Sequence, residues 1–253
     1  MNFGNHAPLQ KSCMPIANIW SYARCDDGSR VEQAIWRGDV SPSLAAHFHD
    51  EIQITVVLAG VQRFSTPIGP IAAHTGETVV IGPTIPHEPL GLNGVNTVCM
   101  NLYVRPMADL PVTRGLHVLA TPRWLQRGQW RDRDGLAAWA TEQVSSTDAR
   151  TCSREAEPLA TFVARTDREI GSIARSAGTT REGFIRRFRR LVGLTPHAYR
   201  IAARLNAARH LLASDISPAE AAADAGFADQ SHLGRAFRSH FGTTPNAYRR
   251  AMR

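Results

Sequence analysis

Two segments near the end of the chain repeat one another, and this repeat constrains the fold more than any other feature. Ala177-Gly178 recurs as Ala225-Gly226, and the stretch Thr195 to Arg200 recurs as Thr244 to Arg249. The offset is 48 residues at the glycines and 49 afterwards, so the second copy carries one inserted residue. The sequence therefore predicts a duplicated structural unit of about fifty residues.

Each copy has the sequence signals of two helices joined by a tight turn. In the second copy, Ser217 and Glu220 have the spacing of a capping box, and Pro218 occupies the first helical position. The predicted N-caps are Thr166, Thr180, Ser217 and Asp229, and the predicted helix stops are Gly178 and Gly226. Such helix-turn-helix units insert their second helix into the major groove of DNA.

The apolar residues of the two second helices recur at helical spacing and are expected in the core. They are Phe184, Phe188 and Leu191 in the first copy, and Leu233, Phe237 and Phe241 in the second. Between the copies, the pattern from Thr195 to Ala213 predicts a long amphipathic helix. This helix is expected to set the distance between the two units.

The positive charge of the chain is concentrated in the repeated half. The net charge is +7; residues 151–253 hold 17 Arg against 9 Asp or Glu, and residues 1–150 hold 12 Lys or Arg against 13 Asp or Glu. A basic domain attracts phosphate and releases counterions on binding, whereas a neutral domain has no such bias. The charge asymmetry therefore supports nucleic-acid binding by the C-terminal half.

The repeated region closely resembles a known family. The residues that carry the resemblance are Ile216, Ala221-Ala222, Ala225-Gly226-Phe227, Asp229-Gln230-Ser231-His232, Arg235, Phe237-Arg238, Phe241-Gly242, Thr244-Pro245 and Tyr248-Arg249. This pattern resembles the signature of the AraC/XylS family of bacterial transcription regulators over roughly residues 160–253. The resemblance implies that one monomer places both second helices in successive major grooves, about 34 Å apart.

The resemblance also assigns candidate DNA contacts. Base-reading candidates are Arg181, Glu182, Ile185, Arg186, Gln230, Ser231, His232 and Arg235. Phosphate-contact candidates are Thr180, Arg187, Arg189, Arg190 and Arg238. Glu182 has an alternative role, because it follows Thr179 at capping-box spacing. The two copies differ chemically, so the two half-sites are expected to differ in sequence.

The first 150 residues contain short segments rich in β-forming residues. Short runs at residues 51–58, 61–66, 77–81 and 95–104 are separated by glycine and proline turns, which predicts an antiparallel sandwich. His47-Phe48-His49, Gln53, Gly60, Gly76 and Pro86-His87 resemble the two cupin motifs. This resemblance implies a small jelly-roll sensor domain of the type that many members of the regulator family carry.

The cupin-like motif predicts a polar pocket. In catalytic cupins, the matching histidines and a glutamate hold a metal, but here Gln53 stands at the glutamate position. We therefore expect His47, His49, Gln53 and His87 to bind a small-molecule effector, and we expect no metal cofactor. If a metal were bound, His47, His49 and His87 would hold it, and structural roles for these histidines stay open.

The expected fold is α+β, with a cupin-like β-sandwich followed by helices and an all-α domain with two helix-turn-helix motifs. The predicted divisions are an effector-binding domain (1–106), a helical coupling or dimerisation region (107–144), a linker (145–157) and a DNA-binding domain (158–253). The tryptophans of the helical region, Trp124, Trp130 and Trp139, suit either a dimer interface or a cover for the sandwich.

These features predict a ligand-responsive transcription regulator, an activator rather than an enzyme, in the cytoplasm. Expected partners are double-stranded promoter DNA, RNA polymerase, a small-molecule effector and a second copy of the chain, with no membrane. Two alternatives stay open. One is a metal-dependent cupin enzyme fused to a DNA-binding module, and the other is a constitutive regulator without an effector.

Overall fold

The apolar runs of the N-terminal half form two antiparallel sheets. The computed structural model describes residues 19–24, 31–38, 44–90, 96–105, 115–126, 133–146, 150–151 and 156–253. The strands are β1 (Ile19–Arg24), β2 (Val31–Gly38), β3 (Ile52–Ala59), β4 (Val61–Ser65), β5 (Ile71–His74), β6 (Glu77–Ile81), β7 (Glu88–Leu90), β8 (Thr97–Val104), β9 (Gly115–Ala120) and β10 (Arg150–Thr151). One sheet has the order β1-β2-β8-β3-β6-β9-β10, and the other has the order β5-β4-β7.

Strand β3 lies inside the larger sheet between β8 and β6, and its residues from Ile52 to Val57 are buried on both faces of that sheet. Ile52, Ile54 and Val56 pack in one cluster with residues of the following helices. The alternate positions include Gln53 and Thr55, which share a buried hydrogen-bond network. The alternation therefore separates an apolar face from a polar face, and the polar face carries the candidate pocket residues.

Two helices cover the apolar face of the larger sheet: α1 (Arg123–Gln126) and α2 (Arg133–Ser145). They supply Leu125, Leu136 and further α2 residues to the cluster around Ile52. Trp124 and Trp139 meet edge to face at 5.3 Å between ring centroids and also pack on this cluster. These two tryptophans therefore cover the sheet, whereas Trp130 lies outside the described residues.

The predicted helical region at 107–144 is wrong in part. Strand β9 lies within it and pairs with β6, and β10 lies within the predicted linker and pairs with β9. The larger sheet thus continues past residue 106. Strand β9 belongs there because its buried Leu116 packs in the core between the two sheets. The remaining domain bounds stay predictions.

Seven helices form the C-terminal half: α3 (Ala156–Arg165), α4 (Ile170–Ser176), α5 (Arg181–Val192), α6 (Pro196–Ala213), α7 (Pro218–Asp224), α8 (Gln230–Phe241) and α9 (Pro245–Ala251). The duplication is confirmed by the backbone, since the paired glycines all have positive φ. Gly178 and Gly226 have φ of 64° and 77°, and Gly193 and Gly242 have φ of 93° and 68°. Of the described helices, none is long and apolar enough to cross a membrane.

Most predicted helix caps are confirmed. The Thr180 and Asp229 side chains accept hydrogen bonds from the third residue of their helices, and Ser217 forms a complete capping box with Glu220. The predicted cap at Thr166 is wrong, because α4 begins after Glu169, whose side chain makes no capping hydrogen bond. The Thr166 hydroxyl instead accepts from the Arg168 amide before the helix.

Helix α6 joins the two halves of the repeat. Tyr199 and Ala202 belong to the core of the first unit. Leu205, Ala208 and Leu212 belong to the core of the second unit. Because one helix is shared by both cores, α6 determines how the two units are placed relative to one another.

Candidate functional site

The N-terminal turns of α5 and α8 expose most of the predicted base-reading residues. Arg181, Glu182, Arg186, Gln230, Ser231 and Arg235 are exposed, whereas Ile185 and His232 are half-buried. The His232 ring lies edge-on to Phe227 at 5.2 Å between centroids. The apolar residues predicted for the core, Phe184, Phe188, Leu233 and Phe237, are all buried.

Glu182 does not form the predicted capping box with Thr179. The N-cap of α5 is Thr180, and its hydroxyl accepts from the Gly183 amide at 3.1 Å. Glu182 instead lies 3.9 Å from Arg181, and both side chains are mostly exposed. The capping alternative is therefore wrong, and the Glu182 carboxylate faces solvent on the reading helix.

The arginines predicted to contact phosphate lie on the exposed surface of the same helices. Arg187, Arg190 and Arg238 are exposed, and Thr180 is exposed although its oxygen serves as a cap. Arg189 is exposed as well, and it also lines a cleft between the helical half and the β-rich half.

The cupin-like motif lies at the junction between the two halves of the chain. Along the extended segment before β3, His47, Phe48 and His49 are all buried. The Phe48 ring stacks on Tyr199 of α6 at 4.4 Å between centroids, within the core of the first helix-turn-helix unit. The two histidines meet His87 on the other side. Because side chains alternate along an extended segment, Phe48 inserts into the helical half, whereas His47 and His49 point to the other side, toward His87.

The structure brings together the three histidines that the sequence singled out. Their candidate ligand atoms lie within 4.8 Å of one another, and we call this group the imidazole cluster (His47, His49 and His87). His47 Nδ1 donates to the Ala45 carbonyl at 2.8 Å, and His87 Nδ1 donates to the Ile85 carbonyl at 3.0 Å. A carbonyl only accepts, so both rings carry their proton on Nδ1 and leave the Nε2 lone pair free.

The environment keeps the imidazole cluster neutral. Burial lowers the pKa of His47 well below its ordinary value, and the nearby His87 adds to the effect. Burial also lowers the pKa of His49, with the Arg209 guanidinium as the next cause. Burial lowers the pKa of His87 to about 4. Neutral imidazoles are the form that binds metal ions and accepts hydrogen bonds.

Gln53 presents an amide oxygen beside the cluster. Its nitrogen donates to Thr55 Oγ1 at 3.0 Å, and the Thr55 hydroxyl donates to Asn101 Oδ1 at 2.7 Å. This network fixes which end of the amide carries the oxygen. Within the described part of the chain, Gln53 Oε1, His49 Nε2 and His87 Nε2 are buried and have no hydrogen-bond partner. A buried polar atom of this kind requires a partner, which a water, an ion or a ligand in the site can supply.

The cavity at this site is small. About 30 Å³ is open to a water-sized sphere, and the lining includes His47, His87 and Gln53 from the β-rich half and His240 and Phe241 from α8. This space holds one or two waters or a single ion. Three imidazoles and an amide oxygen fit a divalent transition metal such as Zn²⁺ or Ni²⁺, without the charge that a carboxylate would supply.

A larger cleft lies nearby between the two halves. It encloses about 350 Å³ by the same measure and lies between residues 65–67 and 86–88 on one side and Arg189 to Ala198 on the other. His87 lines both spaces. A metabolite therefore finds room in the cleft rather than in the cavity.

Two residues of α6 that hold the two halves together, Asn206 and Arg209, were not singled out as site residues from the sequence. Arg209 of α6 is buried and ion-paired with the buried Glu51. Arg209 Nη1 lies 3.3 Å from His49 Nδ1. Asn206 donates to the Phe48 carbonyl at 2.9 Å. Helical spacing could have found them, because Asn206 and Arg209 fall on the inward face of α6 with Leu205 and Leu212.

Further contacts surround this junction. The Tyr22 hydroxyl donates to the Phe241 carbonyl at 2.7 Å, and the Ala45 amide donates to the Ser239 carbonyl at 2.9 Å. The Arg209 guanidinium also lies over the rings of Tyr103 and Phe241, at 5.1 and 5.7 Å from their centroids. The β-rich half therefore contacts α6 and the C-terminal end of α8, and it leaves the N-terminal turns of α5 and α8 exposed.

Comparisons with known proteins agree with this architecture. Residues 173–251 match a family model described as a helix-turn-helix domain. Transcriptional activator NphR from a Rhodococcus species is 36% identical over 143 residues, which is 56% of this chain and 42% of that protein. An uncharacterized HTH-type transcriptional regulator, YbfI of Bacillus subtilis, is 33% identical over 64 residues, which is 25% of this chain and 23% of that protein. The chain thus matches less than half the length of these curated relatives.

Solved structures show the same overall fold. Apo ToxT from Vibrio cholerae superposes with a TM-score of 0.56 at 12% identity, covering 90% of this chain and all of that one. Wild-type ToxT with a bound unsaturated fatty acid gives a TM-score of 0.52 at 10% identity, covering 89% of this chain and 97% of that one. At this identity the likeness establishes the fold alone.

The fold and the exposed, arginine-bearing second helices define a helix-turn-helix DNA-binding protein with a separate β-rich half. The predicted α+β fold class is confirmed. More particularly, the resemblance to the AraC/XylS family of transcription regulators is confirmed, through its AraC-type helix-turn-helix domain.

Proposed function

We propose that this protein is a ligand-responsive transcription regulator that binds promoter DNA through α5 and α8. The observation that carries the proposal is the position of Phe48, which stacks on α6 while the residues on either side of it form the imidazole cluster. An occupant of the pocket therefore lies one residue from the contact that holds the DNA-binding half. A ligand shifts such an arrangement only by its differential affinity for the two states.

The two reading helices have different roles in this proposal. In α5 the base-facing residues are Arg181, Glu182, Ile185 and Arg186. The phosphate contacts of this unit are Thr180, Arg187, Arg189 and Arg190. In α8, Gln230, Ser231, His232 and Arg235 face the bases, and Arg238 contacts a phosphate. Bidentate pairing suits arginine with guanine and glutamine with adenine. The two half-sites therefore differ in sequence, and the arginine-rich α5 depends more on phosphate attraction.

The effector site has two parts in the proposal. His47, His49, Gln53 and His87 form its polar end, and the cleft beside His87 provides room for a metabolite. The related NphR is named as an activator, and ToxT has been solved with an unsaturated fatty acid. We infer activation of transcription, through RNA polymerase, by a cytoplasmic homodimer. We also infer that the protein is not an enzyme, because Gln53 replaces the carboxylate of catalytic cupins.

A gel-shift titration tests the DNA-binding role. The wild-type chain is titrated with DNA from its own upstream region and with random DNA of equal length, at physiological salt. We expect a preference of at least a thousandfold for the specific site. Equal affinity for both DNAs would contradict the proposal.

Replacement of Arg235 by alanine tests base reading by α8. We expect a loss of about 1–3 kcal/mol in binding free energy, confined to one position of the site. Arg238→Ala is the matched control from the same helix, and its loss should be uniform across sequences with a shallower salt dependence. A uniform loss for Arg235→Ala would make that residue a phosphate contact instead.

A further inference from the structure

The three rings of the imidazole cluster differ in the position of their proton. His47 and His87 donate from Nδ1 to carbonyls, which leaves their Nε2 atoms unprotonated. His49 is different because its Nδ1 faces Arg209 Nη1 at 3.3 Å. A guanidinium only donates, so His49 Nδ1 accepts and the proton of the neutral ring resides on Nε2. His49 Nε2 is buried, and the described residues offer it no acceptor.

While Arg209 donates to its Nδ1, His49 cannot act as a metal ligand. Coordination through Nε2 requires the proton to move to Nδ1, where it would meet the N–H of Arg209. Coordination through Nδ1 requires Arg209 to leave that atom. His47 and His87 already have the ligating tautomer, and their rings lie 4.6 Å apart between centroids. The site therefore has two ready ligands, and the third is occupied by the DNA-binding half.

The surroundings favour a single ion as the occupant. The cavity is lined by His47, His87 and Gln53 but not by His49, and it has room for little more than one or two waters. Among the described residues, the Gln53 side-chain oxygen has no hydrogen-bond partner. Neutral imidazoles suit divalent transition metals. A bound dication would also repel the Arg209 guanidinium, which is held by the buried Glu51 and by His49.

We propose that a divalent transition-metal ion and Arg209 compete for His49, so that metal binding at His47, His49 and His87 weakens the contact between α6 and the β-rich half. This proposal rests on the proposed function, because it makes the metal ion an effector of DNA binding. By linkage, the factor by which the metal changes DNA affinity equals the factor by which DNA changes metal affinity.

Zn²⁺ titration of the metal-free, tag-free protein tests the competition without DNA. The comparison is between the wild type and the double variant Glu51→Gln/Arg209→Met, which removes one positive and one negative charge and replaces the buried pair with neutral side chains. We expect the double variant to bind Zn²⁺ about tenfold to a hundredfold more tightly, since the hydrogen bond from a charged donor no longer competes.

Two single variants locate the binding. His49→Gln should weaken Zn²⁺ binding at least tenfold, whereas His74→Gln, which removes a surface histidine outside the cluster, should leave it unchanged. Circular dichroism of each variant establishes that it is folded. Equal Zn²⁺ affinity in the wild type and the double variant would overturn the proposal, as would the absence of Zn²⁺ binding in both.

Nitrogen-15 NMR spectra of the histidine rings show which ring nitrogen of His49 carries the proton. If His49 had only a structural role, adding Zn²⁺ would not change these spectra. We expect the metal-free wild type to show His49 protonated on Nε2, with loss of that signal pattern on adding Zn²⁺. A His49 ring protonated on Nδ1 before metal is added would overturn the proposal.

A gel shift with and without Zn²⁺ then tests whether metal binding at the imidazole cluster changes the affinity for DNA. We expect Zn²⁺ to change the DNA affinity of the wild type and to have no effect on that of the double variant. DNA affinity of the wild type that does not respond to Zn²⁺ would overturn the regulatory role. Failure of the metal-free wild type to prefer its own site would instead contradict the proposed function, so the two failures are distinguishable.

Discussion

Replacing Glu51 by glutamine removes the charge that compensates Arg209. The Arg209 side chain is 1% exposed and that of Glu51 is 8% exposed, so water cannot take over the role of the carboxylate. Leaving one member of a buried ion pair uncompensated costs about 3–5 kcal/mol. The rings of Tyr103 and Phe241 and the His49 nitrogen remain in place, so we expect the lower end of this range, about 3 kcal/mol.

Differential scanning calorimetry measures this loss. For a chain of this size, about 3 kcal/mol corresponds to a fall in Tm of roughly 6–12 °C. Asp167→Asn is the matched control, because Asp167 pairs with Arg204 from a side chain that is 92% exposed, and it should change Tm by little. The further change Arg209→Met should restore most of the lost stability, since a buried ion pair can be replaced by uncharged residues of similar volume.

A fall in Tm of less than about 2 °C for Glu51→Gln would refute the reasoning. It would mean that water reaches Arg209, or that the two halves separate at little cost and the guanidinium becomes solvated. Failure of Arg209→Met to rescue the glutamine variant would also contradict it. In that case the loss would come from Glu51 itself, for example from its 3.6 Å approach to His210.

Three further results are expected. Gly193→Ala should destabilise the protein more than Gly178→Ala, since both have positive φ but only the first places a Cβ 2.5 Å from Pro67; denaturant unfolding measures this, and equal losses would contradict the contact. With chelator present, the free energy of unfolding should fall as pH drops below about 6.5, because the folded state holds His87 neutral down to its pKa of about 4. Between pH 7 and pH 5, His87 accounts for a loss of about 2 kcal/mol. In His87→Gln, the free energy of unfolding should therefore depend less on pH over this range. Gly171→Ala should raise stability by roughly 0.5–1 kcal/mol, since the added Cβ meets only ordinary contacts, at 3.7 Å from Arg175 of α4 and 3.9 Å from Arg181 of α5. A lower Tm would show that this helix turn is strained.

Local signals in the sequence predicted most of the helix ends in the C-terminal half. Capping residues such as Ser217 and Asp229 act on backbone groups three residues away, and Gly226 acts on its own φ, so spacing along the chain determines the structure. The same locality explains the error at Thr166, where a suitable capping residue lies too far before the helix for its hydroxyl to reach the first turn. The sequence did not predict β9, whose partner β6 is distant along the chain. It also did not predict β1, β2, β5 and β7, although β1 pairs with β2 and β5 pairs with β4.

The candidate pocket was predictable only in part for the same reason. The spacing of His47 and His49 places them on one side of an extended segment, and the structure brings His87 to them. Arg209 is 160 residues from His49, so no local signal connects the two residues. The helical spacing of Arg209 from Leu205 and Leu212 does place it on the inward face of α6, and this is the signal that distinguishes it from the exposed arginines.

The location of the Arg209 contact determines what a pocket occupant can change. The β-rich half holds α6 between the part that packs in the first core, at Tyr199 and Ala202, and the part that packs in the second core, at Leu212. The N-terminal turns of α5 and α8, which carry the proposed base-reading residues, remain exposed. In the proposed function, occupancy of the pocket changes the placement of the two second helices relative to one another, because α6 is the element that both cores share. This arrangement does not require masking of the DNA-binding surface, and a ligand shifts it only by its differential affinity for the two states.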